Sequence, residues 1–202
     1  LIGTALDISG DIDVDGTANL DVVDIDGAVD MASTLQVDGA ITSSSAATIT
    51  VADNSYTLTL LSTDTDASSG PNIRLKRDSS SPADDDFTGI IYFQAENDAG
   101  EETDYQRITT RIRDASDGSE DGQLTLSSMV SGTLRNRLEF NEGEAVFNDD
   151  SVDVNFRVES DGNANMLFVD GGNDRLGIGT ATPAFTFDLQ KSLSESYSAS
   201  GR

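Results

Sequence analysis

Apolar and polar residues alternate with a period of two in short runs near the start of the chain. Ile12-Asp-Val-Asp-Gly16, Val23-Asp-Ile-Asp-Gly27 and Leu35-Gln-Val-Asp-Gly39 share the order apolar, polar, apolar, Asp, Gly, and they begin 11 and 12 residues apart. A period of two puts the apolar side chains on one face, so each run predicts a short strand. The Asp-Gly pair at its end predicts a chain reversal, with glycine taking a positive φ at little steric cost. Leu167-Phe-Val-Asp-Gly171 repeats the pattern, and Val158-Glu-Ser-Asp-Gly162 is a looser copy. A five-residue strand spans only ~17 Å. It cannot bury its apolar face alone and has to stack on copies of itself.

Three adjacent copies without an aromatic residue leave Val14, Val23, Ile25, Leu35, Val37 and Ile41 wet in a lone chain. Self-association around a common axis removes that surface from water, and a threefold β-prism is the simplest closed solution. Homotrimerisation is thus expected from the shortage of core.

Farther along, the alternating runs lengthen. Residues 72–77, 89–97, 105–114, 122–130 and 134–140 are each bounded by Gly, Asp or Ser clusters, a spacing that predicts a β-sandwich-like or barrel-like module. Within 105–114, Ile108, Thr110 and Ile112 fall on one face and Arg107, Arg111 and Arg113 on the other. By the same count Leu134, Leu138 and Phe140 oppose Arg135 and Arg137. The Arg stripe reads as a structural ladder of ion pairs. Its functional alternative is a site for an acidic glycan or another anion, because Arg pairs bidentately with carboxylates.

Composition narrows the chemistry. The chain has 202 residues with 37 acids against 12 bases, a net charge of −25. Asp supplies 28 of the acids, and Asp favours turns over helices, which supports an all-β chain. No Lys or Arg precedes Arg74. Such acidity opposes contact with nucleic-acid phosphates and with anionic membrane surfaces, and no apolar run is long enough for a membrane-spanning helix. Neither Cys nor His occurs, which removes disulfides, thiolate or imidazole metal sites and Ser-His-Asp triads. Acids abound for glycoside hydrolysis, but Trp is absent and aromatics are few, so no enzymatic role is expected. Asp11-Ile-Asp-Val-Asp-Gly16 matches the front of an EF-hand loop, yet Val22 stands where the bidentate Glu is needed. No cofactor is expected beyond weak calcium binding at acidic turns.

The stretch 152–183, ending in Gly177-Ile-Gly-Thr-Ala-Thr-Pro183, resembles the distal shaft of tail-fibre-like structural proteins of tailed bacteriophages. In that family a Gly-Ile-Gly-Thr-x-x-Pro segment stands before a C-terminal intramolecular chaperone. Asn72-Ile-Arg-Leu-Lys-Arg77, Gly89-Ile-Ile-Tyr-Phe93, residues 108–113 and Asp121-Gly-Gln-Leu124 resemble its recurrent β module. The resemblance covers about residues 10–185, and bacterial surface filaments share these motifs.

The resemblance implies an elongated homotrimeric fibre on the virion that bridges to a host surface. β-Prism or β-helix-like repeats would flank the compact module. Its partners would be other virion proteins and a host-surface glycan or protein receptor. The expected divisions are an Asp-Gly repeat shaft (1–71), a compact β module (72–148), a distal repeat segment (149–190) and a Ser-rich tail (191–202). The expected shared core is Val14, Ile25, Val37, Phe156, Leu167, Val169 and Ile178. Gly16, Gly27, Gly39, Gly162 and Gly171 are the expected turn glycines. No chaperone succeeds Pro183, and the chain opens at Leu1 without Met or signal peptide, so an incomplete or processed chain is expected. The rival expectations are a host-encoded extracellular filament or adhesin and a calcium-stabilised monomeric binding module.

Overall fold

The computed structural model describes Asp15 and residues 23–26, 28–32 and 34–190. The chain divides into two units, Leu1–Leu61 and Ser62–Arg202. All nine strands among the described residues lie in the second unit, and no helix occurs there, so the architecture is all-β.

In the first unit the described residues form no strand. The repeats at 23–27 and 35–39 were expected as strands, and their described residues, 23–26 and 35–39, are not in one; a short strand needs a paired neighbour to be stable. The copy at 12–16, with Val14 and Gly16, lies outside the described residues apart from Asp15, as does Gly27. Ile25 and Val37 are 53% and 42% exposed. Local order comes from side chains bonding two residues away. The Asp53 carboxylate accepts the Ser55 N–H at 2.8 Å, and the Gln36 amide donates to Asp38 at 3.0 Å.

The second unit opens with 25 residues outside any strand. Residues 72–77 do not pair with the sheet, contrary to the expected strand. Instead Leu75 leans on Gly89, where an added Cβ would come within 3.2 Å of it. Arg77 binds Asp86 at 3.0 Å. Strands β1 (Phe87–Glu96), β2 (Glu102–Asp114), β3 (Asp121–Val130), β4 (Thr133–Phe140) and β5 (Ala145–Phe147) then form one antiparallel meander in chain order. Four of them match the sequence-predicted runs closely. Among the described residues this module is a single open sheet, not a sandwich, because no second sheet covers either face.

The register fixes two faces. One carries the row Ile91, Ile108, Leu126, Leu138 and Phe147, and beside it the row Gly89, Thr110, Leu124, Phe140 and Ala145. The other carries Arg107, Ser127 and Asn136, then Thr109, Thr125 and Glu139, then Arg111 and Gln123. The expected parity of β4 fails at one point. The register slips by a residue at Arg137, a bulge that leaves one side chain unpaired and re-aims its neighbours along the strand. Leu134 therefore pairs with Met129 and joins Tyr105 on the polar side of the sheet, away from Leu138 and Phe140.

After the meander the chain turns through two left-handed residues, Asn148 and Ser151, and enters a smaller sheet. Strands β6 (Phe156–Ser160), β7 (Asn163–Asp170), β8 (Arg175–Ile178) and β9 (Phe187–Leu189) lie in that order, antiparallel except for the parallel pair β8–β9. The looser repeat at 158–162 and the copy at 167–171 are thus a strand-and-turn each. Phe147 and Phe156 pack with ring centroids 4.5 Å apart, joining the two sheets.

The expected positive φ is not found at Gly39, Gly162 or Gly171; among the described residues the left-handed glycines are Gly100, Gly118, Gly132 and Gly179. Gly171 is required for a different reason. A Cβ there would sit 2.5 Å from the Val154 carbonyl oxygen.

Candidate contact site on the five-stranded sheet

The polar face of the meander holds the densest grouping of functional side chains. Alternation along β2 projects Arg107, Thr109, Arg111 and Arg113 to one side, and alternation along β3 adds Gln123, Thr125 and Ser127. Together with Phe87, Asn136, Glu139 and Asp149 they line a recess of about 310 Å³. Its floor is polar and well covered: Thr109, Thr125, Ser127 and Glu139 are all under 9% exposed.

The arginines divide into two kinds. Arg111 and Arg113 both pair with Asp85, and the Arg111 guanidinium lies 4.6 Å over the Phe87 ring. Asp85 is held in place by its backbone, in the left-handed region with its N–H donated to the Ile112 carbonyl at 2.9 Å. Those two arginines therefore act as the ladder the sequence suggests. Arg107 has no acidic oxygen within 4.0 Å among the described residues, and its Nε is buried without a hydrogen-bond partner. The Thr109 hydroxyl beside it is equally unpartnered. Glu139 and Asp149 share the recess, so it offers donors and acceptors together, a chemistry suited to hydroxyl-rich or zwitterionic groups. Sequence alternation finds the arginines. The Ser/Thr/Gln alternation of β3 is the signal that would have found the floor.

The distal core candidates converge on the other sheet. Pairing of Phe156 with Val169, Val158 with Leu167 and Val169 with Leu176 puts Phe156, Leu167, Val169 and Ile178 on one face. Phe168 points to the opposite face. It is 8% exposed and, with Pro183, is one of the two apolar side chains buried among the described residues. Val158, Val169, Phe187 and Leu189 on the shared face are exposed. Ile25 and Val37 belong to the other unit.

Among the described residues no three acidic side chains converge on a point that could hold a metal ion. Asp53 and Asp114 are the carboxyls held below their ordinary range, each by a hydrogen bond from a serine two residues on and by that serine's backbone N–H. Both are turn residues. No protein-family model, curated protein or solved structure matches this chain.

Proposed function

We propose that the chain is a structural and adhesive segment of a virion appendage of the tail-fibre kind. It works as a homotrimer that projects from the particle and helps attach it to a host surface. The observation that carries this reading is the shortage of core. Phe168 and Pro183 are the apolar side chains buried among the described residues, whereas Ile91, Phe140 and Phe147 on the larger sheet and Val158, Val169, Phe187 and Leu189 on the smaller one are exposed. Exposed apolar surface marks interaction sites.

The mechanism is mechanical and multivalent. Copies share the apolar surface that one chain leaves wet, and three copies of a weak contact act together through high effective concentration. The polar recess around Arg107 is the contact candidate for a host-surface glycan or protein receptor, and other virion proteins are the further partners. In this reading the protein turns over no substrate and needs no cofactor.

Gold-labelled antibody raised against the purified chain tests the assignment by electron microscopy. Labelling of fibres projecting from virions is the expected result. Labelling of filaments on bacterial cells would contradict it and transfer the protein to the extracellular-filament class.

A further inference from the structure

We infer that Asp38-Gly39 is a site of spontaneous covalent modification, at which the aspartate converts to isoaspartate through a cyclic imide. The reaction goes beyond the function above and needs only the chain and water. The Gly39 backbone nitrogen attacks Cγ of the protonated Asp38 carboxyl. The N–Cγ bond forms, the Cγ–OH bond breaks, and the hydroxyl leaves with the amide proton as one water. A second water then opens the five-membered ring. Cleavage between the nitrogen and Cγ restores aspartate, whereas cleavage between the nitrogen and the Asp38 backbone carbonyl carbon gives isoaspartate. Nothing is oxidised or reduced, and the mass is unchanged. The product carries an extra methylene in its main chain, which breaks the period of two at the turn of the 35–39 repeat.

Glycine favours this attack because it has no Cβ to keep other atoms from its backbone. The pairs 38–39, 117–118, 121–122, 161–162 and 170–171 lie wholly among the described residues, and the structure sorts them by how freely the two reacting groups meet. At Asp170-Gly171 both groups are held. The Gly171 N–H donates to the Asn155 side chain at 2.9 Å, and the Asp170 carboxylate accepts the Gly172 N–H at 3.2 Å and the Asn173 amide at 2.9 Å. The Gly118 N–H donates to the Glu120 carboxylate at 3.2 Å. Gly122 is paired with Ile112 in the ladder of β2 and β3. Asp161-Gly162 forms a hairpin turn closed by the pairing of Ser160 with Asn163. Asp38-Gly39 is different: it lies in a bend outside any strand, and both residues are exposed. No backbone hydrogen bond from Gly39 forms among the described residues, and nothing stands within 4 Å of a Cβ placed there. The Asp38 carboxylate is tied only through the exposed Gln36 amide at 3.0 Å.

Endoproteinase Asp-N cleaves before aspartate but not before isoaspartate. Isomerisation at Asp38 therefore appears as an uncut fragment 30–52, and isomerisation at Asp170 as an uncut fragment 161–173. The full native chain is held for weeks at neutral pH and body temperature, then unfolded, digested and read by liquid chromatography with mass spectrometry. Fragment 30–52 is expected to accumulate about fivefold or more faster than 161–173, because Asp170 must open locally before it can react. In denaturant the two rates should converge. Gly39→Val, which shields the nitrogen at a position with open space around it, should abolish the growth of 30–52. Equal or faster growth of 161–173 in the native chain overturns the assignment, as does no growth of 30–52. Growth of 30–52 that persists in Gly39→Val overturns the chemistry, and rates that stay apart in denaturant overturn the structural cause.

Discussion

Single residues decide where this chain can bend and where it cannot. Gly171→Ala would drive a methyl to 2.5 Å from the Val154 carbonyl. The expected cost is about 1–3 kcal/mol, the usual range for overpacking, read as a lowered melting temperature. Gly162→Ala, where an added Cβ meets nothing within 4 Å, should stay within about 0.5 kcal/mol of wild type. Equal effects at the two positions would contradict the close approach at Gly171. Asp114 gives a second residue-scale test. Its carboxylate accepts the Ser116 N–H at 2.8 Å and is held below the ordinary carboxylate range. A depressed carboxyl contributes stability that is present above its unfolded value and is lost as pH falls through the folded one. NMR titration should find Asp114 ionising below the ordinary carboxylate range; a midpoint within or above that range would remove the turn. The Asp-Gly signal located turns in the sequence but not their backbone geometry. The turn between β3 and β4 is made by Ser131 and Gly132, both left-handed, a pair whose sequence carries no Asp or Asn cue.

At the scale of elements, strands that pair with sequence neighbours were legible. β1 to β4 track the alternation in 89–140 because short loops bring each run against the next. What alternation could not show was the absence of a partner. Residues 23–26, 35–39 and 72–77 have the period of strands and form none. The bulge at Arg137 was equally hidden, since an inserted residue shows only when the neighbouring strand is present. Val37→Asp tests the shaft: a charge placed in a core shared between copies should lower the melting temperature of the assembly, and an unchanged curve would contradict the shared core. Phe156→Ala tests the join between the sheets. Losing the Phe147 contact should cost about 0.5–1.5 kcal/mol beyond the area lost and speed proteolysis near 148–155. Unaltered cleavage would mean that the ring pair does not hold the sheets together.

For the whole molecule, charge and surface set the behaviour. In the proposed assembly, copies that each carry −25 meet against their own field, and salt screens that field over about 10 Å at 0.1 M. The assembly should therefore melt at a higher temperature in 150 mM salt than in 10 mM, whereas a salt-insensitive transition would contradict association of like-charged copies. The all-β class was legible in the Asp-rich, helix-poor composition. The openness of the module was not, because alternation reports an apolar face without reporting what covers it. Self-assembly is the claim on which the account turns, and native mass by light scattering or native mass spectrometry tests it most directly. The account predicts three times 21.3 kDa, about 63.9 kDa; a value of 21.3 kDa at micromolar concentration would contradict it.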